Sequence, residues 1–432
     1  MKYRIGDLCR LIGSGGTPSR ARKEFYENGK IRWLKTKELN DKNIYDTEEH
    51  ITEEALKHSS AKIYPINTIT MAMYGATVGK LGILKRKCST NQACCNLVID
   101  EDRADYRFLF YSLLMNRDKL IGLANGAAQQ NLNVGIIKNF EIECFELAEQ
   151  RAIANILSTL DEKIEVNNRI NKALEEIAQA IFKHWFVDFE FPNEKGEPYK
   201  SSGGEMVESE LGMIPKGWEV KPIEEILDFT ISGEWGKENK DIKHTQKIFC
   251  IRGADFPDLE NGNRADVPIR FIKEGSFKKR KLEDGDIILE ISGGTKGRPT
   301  GRTIYIHEDM IMNYSNRLSF SNFCRLMRTN YALDSKILYY YLQFLYNSGV
   351  METYQVQSTG ISNFQFSYFI ANEYIIIPNK KVQKAFSGIV ESFLNKRNTY
   401  EKHRLSQIRN TLLPKLMSGE IRVPIKSGGE VS

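Results

Sequence analysis

The side chains most suited to chemistry are scattered without the spacing that chemistry needs. His50, His58, His184, His244, His307 and His403 form no His-Glu-x-x-His pair and no close couple for a metal. No Gly-x-Ser-x-Gly elbow is present. Gly13-Ser14-Gly15-Gly16-Thr17 follows a helix-like start, where a dinucleotide loop needs a strand. Gly293-Gly294-Thr295-Lys296-Gly297-Arg298 lacks the Gly-Lys-Ser/Thr of a phosphate loop. Methyl transfer to a base amine would call for an Asn/Asp-Pro-Pro-aromatic element, and Pro-Pro occurs nowhere. Carboxylates arranged for a nuclease are reduced to Pro257-Asp258 and, in the wrong order, Glu219-Val220-Lys221. Cys9, Cys88, Cys94, Cys95, Cys144, Cys250 and Cys324 are odd in number and show no Cys-x-x-Cys, so they read as reduced, buried thiols. The chain is expected to catalyse nothing alone and to hold no metal or cofactor.

Binding chemistry is better supplied. Gln129, Gln130 and Asn131, and likewise Ser362 and Asn363, fall in short polar segments read as loops, where amides can pair with adenine edges. Lys35, Lys37 and Arg252 end β-rich runs, within reach of phosphate or guanine. Thr17, Ser19, Arg20, Tyr74, Lys80, Trp235, Lys237 and Arg302 complete the candidate DNA-binding set. Lys296 and Arg298, in a basic insertion with no counterpart in the first half, are the strongest candidates for a loop entering a groove. Taken singly, each of these residues reads equally well as a solvated surface group.

What lifts them is that the chain is written twice. Leu34-Lys35-Thr36-Lys37-Glu38-Leu39 answers Ile251-Arg252-Gly253-Ala254-Asp255-Phe256. Asn67-Thr68-Ile69-Thr70-Met71 leading to Gly75 answers Gly285-Asp286-Ile287-Ile288-Leu289 leading to Gly293. Asn91 is matched with Asn313, and Asn131 with Asn363. Positions that differ, such as Tyr74/Ser292, Lys37/Ala254 and Gln129/Ile361, suit two readers of unlike sequences.

Each copy ends in a helical run. No Gly or Pro interrupts Leu147 to Phe189, and Ile153, Ile156, Leu160, Ile164, Ile170 and Leu174 recur at steps that make an apolar seam. Asn167 interrupts this seam, where a polar residue can fix register. Phe386, Ile389, Phe393, Ile408 and Leu412 repeat the pattern; Pro414 is expected to break or kink that helix and Gly419 to end it. Residues 148–200 hold 7 Lys and Arg against 10 Asp and Glu, while 381–432 hold 10 against 4. Opposite signs suit two helices lying together. A forty-residue helix is about 60 Å long, and DNA half-sites on one face recur every ~34–36 Å, so such helices could act as a ruler. Pro192 to Gly204 reads as a linker by composition. The expected fold is mixed α/β (α+β): two globular repeats, each followed by a long helix, the helices pairing as an antiparallel coiled coil with pseudo-two-fold symmetry.

Composition agrees with this reading. At 432 residues, 41% hydrophobic and 27% charged, the chain should form several soluble domains. No run is long and apolar enough for a bilayer, so a cytoplasmic protein without membrane contact is expected. A net charge of +5 says little about nucleic acid by itself.

Four stretches carry a family resemblance: Ala180-Ile181-Phe182-Lys183-His184-Trp185-Phe186-Val187-Asp188-Phe189, Leu211-Gly212-Met213-Ile214-Pro215-Lys216-Gly217-Trp218, Thr411-Leu412-Leu413-Pro414-Lys415-Leu416-Met417-Ser418-Gly419-Glu420-Ile421 and Gly15-Gly16-Thr17-Pro18-Ser19. With these stretches spread along nearly the whole chain in the family's order, it resembles specificity subunits of type I restriction-modification enzymes. That resemblance implies a first target-recognition domain at 1–147, a central spacer helix at 148–190, a linker at 191–212, a second recognition domain at 213–380, a C-terminal spacer helix at 381–424 and a tail at 425–432. It implies double-stranded DNA, modification (methyltransferase) subunits and restriction (motor-nuclease) subunits as partners, with S-adenosylmethionine, ATP and Mg on those partners. Two other readings compete: a protein-binding coiled-coil adaptor without DNA readout, and a self-contained methyltransferase-nuclease. The second copy departs from the first at Ser232-Gly233-Glu234-Trp235-Gly236-Lys237, which favours an asymmetric target.

Overall fold

The computed structural model describes residues 1–123, 131–261, 266–293, 299–358, 361–397 and 399–424. It divides into two compact units, residues 1–162 with 406–432 and residues 163–405.

Strands of the first unit are β1 (Lys2–Arg4), β2 (Cys9–Ser14), β3 (Ile31–Leu34), β4 (Lys42–Ile44), β5 (Glu49–Ile51), β6 (Ile63–Tyr64), β7 (Ile69–Ala72), β8 (Leu81–Leu84), β9 (Cys88–Thr90), β10 (Cys94–Ile99) and β11 (Glu141–Glu143). They form a sheet of order β2-β10-β7-β8-β4, a second of order β5-β3-β9-β6, and the pair β1-β11. Neighbours are antiparallel except β3 with β9 and β4 with β8. The helix Tyr106–Met115 starts where Asp105 accepts the amides of Arg107 and Phe108. It buries Phe108, Leu109 and Leu113 against Ile69, Met71 and Leu97. Gln150 holds the cap itself, accepting the Asp105 amide at 3.1 Å.

The second unit opens with the hairpin β12 (Met206–Ser209) and β13 (Gly212–Pro215). There follow β14 (Glu219–Pro222), β15 (Leu227–Ser232), β16 (Gln246–Ile251), β17 (Ile269–Ile272), β18 (Ile287–Glu290), β19 (Ser292–Gly293) and β20 (Thr303–Tyr305). The last strands are β21 (Leu318–Phe320), β22 (Cys324–Thr329), β23 (Gln355–Ser358), β24 (Ile361–Phe364) and β25 (Tyr374–Ile377). Sheet orders β15-β22-β18-β20, β17-β16-β21 and β14-β25 repeat those of the first unit without counterparts of β4 and β6, and keep one parallel pair, β16 with β21. Asp334 caps the helix Ser335–Asn347, and its amide is held by Gln383 at 3.1 Å, as Gln150 holds Asp105. The duplication read in the sequence is a duplication of structure. One match is corrected. Asn91 donates its amide to Leu34 at 2.9 Å, and Ser321, not Asn313, makes the equivalent bond to Ile251 at 2.9 Å. Asn313 instead ends the helix Glu308–Asn313.

Leu147–Phe182 is one unbroken helix, closed by a π turn at Lys183–Val187. The C-terminal run departs from expectation by forming two helices, Lys380–Lys396 and Thr399–Met417. Arg397 leaves helical geometry between them, at φ −65° and ψ 103°, with its guanidinium paired to Glu175. Pro414 does not break the second helix, which runs on to Met417 and ends at Gly419, φ +73°. Pro414 has no amide to donate to the Asn410 carbonyl, and burial of Leu416 and Met417 holds the final turn. Within each unit the helical segments run antiparallel. In the first, Asp161 pairs with Arg409 and Glu149 with Arg422, both at 2.7 Å. In the second, Lys163 lies 3.8 Å from Glu401 while Glu175 meets Arg397.

The seam is partly as expected. Ile153 and Phe386 are fully buried, and Ile156, Leu160, Ile164, Leu174, Ile389, Phe393 and Leu412 are half-buried. Ile170 is a correction, being 40% exposed. The buried line instead passes through Asn167, Asn171, Ala178 and Phe182, a quarter-turn away, leaving Val166, Ile170 and Ile177 as an outward apolar stripe. Ile408 also lies near the surface, at 36% exposure.

The segment read as a linker is folded. Phe191 stacks on Tyr199 at 4.5 Å and on Trp218 at 4.8 Å, with Phe186 and Phe189 each 5.9 Å from Trp218. Phe189 accepts φ +62°, a conformation costing about 1–2 kcal/mol, because its ring is buried in this cluster. The aromatic positions that marked the family resemblance thus close one end of a core.

Candidate nucleic-acid interface

In each unit one end of the main sheet is assembled by the same backbone bonds. Gly15 donates to the Cys94 carbonyl at 3.0 Å and Gly16 to Thr90 at 2.8 Å. Met73 donates to Ala93 at 2.8 Å, and Leu132 to Met73 at 2.9 Å. Counterparts in the second unit are Gly233 to Cys324 at 3.1 Å, Glu234 to Phe320 at 2.9 Å, Ile291 to Phe323 at 2.8 Å and Phe364 to Ile291 at 2.8 Å. Glycine is needed for the close approach, since a Cβ at Gly15 would lie 2.2 Å from the Thr90 oxygen and one at Gly233 2.2 Å from that of Ser321. Four separate segments therefore converge on one corner.

That corner gathers several of the expected residues. Tyr74, 40% exposed, follows Met73, and exposed Asn131 precedes Leu132, so the Leu132–Met73 bond sets them side by side. In the second unit Ser292 donates its hydroxyl to Asn363 at 2.8 Å. Ser362 and Asn363 lie on strand β24 rather than in the loop expected for them. Gln129 and Gln130, and Lys296 and Arg298, lie outside the described residues. Thr17 is half-buried and Ser19 exposed, just beyond the glycines. Arg20 stands over the rings of Tyr26 and Trp33, at 4.3 and 4.9 Å, and pairs with Glu49 at 2.7 Å. Trp235 receives Arg270 in the same way, at 4.1 Å. Lys237 pairs with Asp241 at 3.1 Å, where backbone bonds from His244 and the His244 ring hold the carboxyl well below its ordinary range.

Other candidates form ion pairs within the protein. Arg302 is the clearest correction. Its guanidinium is mostly buried, takes both oxygens of Glu290 at 2.9 Å and donates to the Gly253 carbonyl at 2.7 Å, so it braces the fold. Lys80, with its side chain 44% exposed, pairs with Asp41 at 2.9 Å. Burial opposes that charge, but the Leu81 amide, Lys80 and Arg117 together hold the Asp41 carboxyl below its ordinary range. Lys35 is half-buried against Glu49 at 2.5 Å, Lys37 is exposed and 2.5 Å from Glu48, and Arg252 chelates Asp255 at 2.7 Å. Sequence reasoning passed over the turns that close β9 on β10 and β21 on β22, which carry exposed Gln92 and, in the second unit, exposed Asn322 and Phe323. Their signal was available, because they fall at the same place in both copies.

A family model for the type I restriction modification DNA specificity domain matches residues 1–176 and 215–410. The chain belongs to the type I restriction-modification DNA specificity family. One similar member is the type I restriction enzyme MjaIX specificity subunit of Methanocaldococcus jannaschii, 30% identical over 97% of this chain and 93% of that protein. Another is the HindI specificity subunit of Haemophilus influenzae, 24% identical over 76% of this chain and 78% of that protein. The solved S subunit from M. genitalium shares the fold, with a TM-score of 0.57 at 18% identity, covering 96% and 95% of the two chains. Membership in the specificity family assigns this chain a part in DNA selection rather than in catalysis. No described helix is long and apolar enough to cross a membrane.

Proposed function

We propose that the chain selects a bipartite, asymmetric DNA target, one half-site for each recognition domain (residues 1–147 and 213–380). The spacer segments 148–190 and 381–424 would set the gap between the half-sites. One observation carries this reading: the two corners share a backbone scaffold but present different outward side chains, Tyr74 and Gln92 in one and Ser292, Asn322 and Phe323 in the other. A common frame with divergent tips is what two readers of unlike sequence require. Phosphate contacts spread over both domains would supply affinity and salt dependence.

In this reading the modification subunits dock on the helical spacers. The stripe of Val166, Ile170 and Ile177 offers them an apolar face that this chain leaves exposed. Methyl transfer from S-adenosylmethionine and ATP- and Mg-dependent cleavage would belong to the modification and restriction partners, and the assembly would act in the cytoplasm.

Mapping methylated bases in DNA treated with the chain and its cognate modification subunits tests the reading. A two-part motif with unlike halves is expected; a continuous or palindromic motif would overturn it. Deleting one turn from each paired helix should shorten the tolerated gap, and an unchanged gap would refute the spacer role.

A further inference from the structure

The turn Asn91–Cys94 joins β9 to β10, closed by a Cys94 amide bond to the Asn91 carbonyl at 3.1 Å. Its counterpart Ser321–Cys324 joins β21 to β22, with the same bond at 2.9 Å. Each turn is held on both flanks. Before it, the Thr90 and Phe320 carbonyls receive the amides of Gly16 and Glu234; within it, the Ala93 and Phe323 carbonyls receive those of Met73 and Ile291, and Phe323 also that of Ser292 at 3.3 Å. Two central residues remain to face solvent on a rigid support, Gln92-Ala93 in the first unit and Asn322-Phe323 in the second. Rigid presentation is the first requirement of a residue that must match a base edge.

Their chemistry is selective. Gln92 and Asn322 are exposed, and a planar amide can meet the N6 and N7 of adenine with a donor and an acceptor at once. Phe323 is 51% exposed at the centre of a tight turn, where Gly, Asn or Asp is favoured, so neither burial nor turn propensity accounts for it. A ring at that place can lie against the C5 methyl of thymine.

We infer that these turn pairs are base-reading elements, Gln92 selecting adenine in one half-site and Asn322 with Phe323 selecting an adenine and an adjacent thymine in the other. The inference rests on the two-domain reading proposed above and adds the residues and base chemistry. Equivalent residues in the two turns differ by one methylene at the amide and by Ala93 against Phe323, so the second turn discriminates one more position than the first.

Selection of bound duplexes from a randomised pool, using the full chain with its cognate modification subunits, tests this. Gln92→Ala should lower discrimination at one base pair of one half-site by about five- to a hundredfold and leave the other half-site intact. Phe323→Ala should do so at one position of the other half. Gln92→Glu should move the preference at its position from adenine towards cytosine, since a carboxylate accepts from the cytosine N4 amine. An unchanged wild-type motif in all three variants, each melting with the parent, would overturn the inference. Absence of any sequence preference in the unsubstituted complex would instead overturn the two-domain reading itself.

Discussion

Arg302→Ala separates a bracing arginine from a DNA-contacting one. The Arg302 side chain is 12% exposed and that of Glu290 5% exposed, and the guanidinium takes both carboxylate oxygens and the Gly253 carbonyl. Gly253 is itself fixed by this arrangement, because a Cβ there would meet Glu290 Oε1 at 2.0 Å. Removing the guanidinium strands a carboxylate away from water, which costs about 3–5 kcal/mol. For a unit of this size, at about 2–4 °C per kcal/mol, the melting temperature should fall by roughly 6–20 °C. Circular dichroism melts measure this directly. The double variant Arg302→Met with Glu290→Leu should recover most of the loss, because an apolar pair of similar volume leaves no orphaned charge. Salt titration of DNA binding, below the melting range, should keep its slope. A variant that melts within about 1 °C of the parent while its salt slope falls by about one would refute the argument, since that is the signature of a lost phosphate contact.

Three further outcomes are expected. Asn171 is 3% exposed, and among the described residues neither amide atom has a hydrogen-bond partner; Asn171→Leu should therefore stabilise the chain by about 1–3 kcal/mol in denaturant titrations, and a loss of stability would show that the amide is satisfied. Replacing Val166, Ile170 and Ile177 together by serine should leave the melting temperature within a few degrees but weaken association with the modification subunits in calorimetry, and unchanged association would remove the stripe as a docking face. Burial, with Glu175 nearby, pushes the Glu260 carboxyl up to about 7, against the opposing pull of Arg397 and Arg302. Its folded-state value lies above the unfolded one, so the folded chain binds the extra proton and stability should fall as pH rises from about 4.5 to 7. Melts of Glu260→Gln should lack that part of the slope, and an identical slope in variant and parent would contradict the assignment.

Much of the architecture was legible because it is periodic or repeated. The interval from Leu147 to Phe182 has neither Gly nor Pro and carries apolar steps of three and four, which hardly allow anything but a helix. Composition misled at Pro192 to Gly204, where polar and turn residues surround Tyr199, whose ring stacks on Phe191, itself stacked on Trp218. Pro414 misled too, because one missing bond costs less than the burial of the turn beyond it. Arg397, unremarkable as a surface-type residue, leaves the helix to meet Glu175, a partner more than two hundred residues away.

For the candidate site, chain order fixed the kind of chemistry and folding fixed which residues are available for it. Duplication with divergence, no catalytic spacing and unlike loops after a shared frame are properties of the sequence, and they specify a pair of different binding surfaces. Which polar side chain faces solvent is decided by pairing across distant segments. Arg302 is taken up by Glu290 and Lys80 pairs with Asp41, while Gln92 and Phe323 stay exposed on turns held mainly by backbone bonds. Side-chain type records what a residue can bind; only its tertiary neighbours determine whether that capacity is already spent.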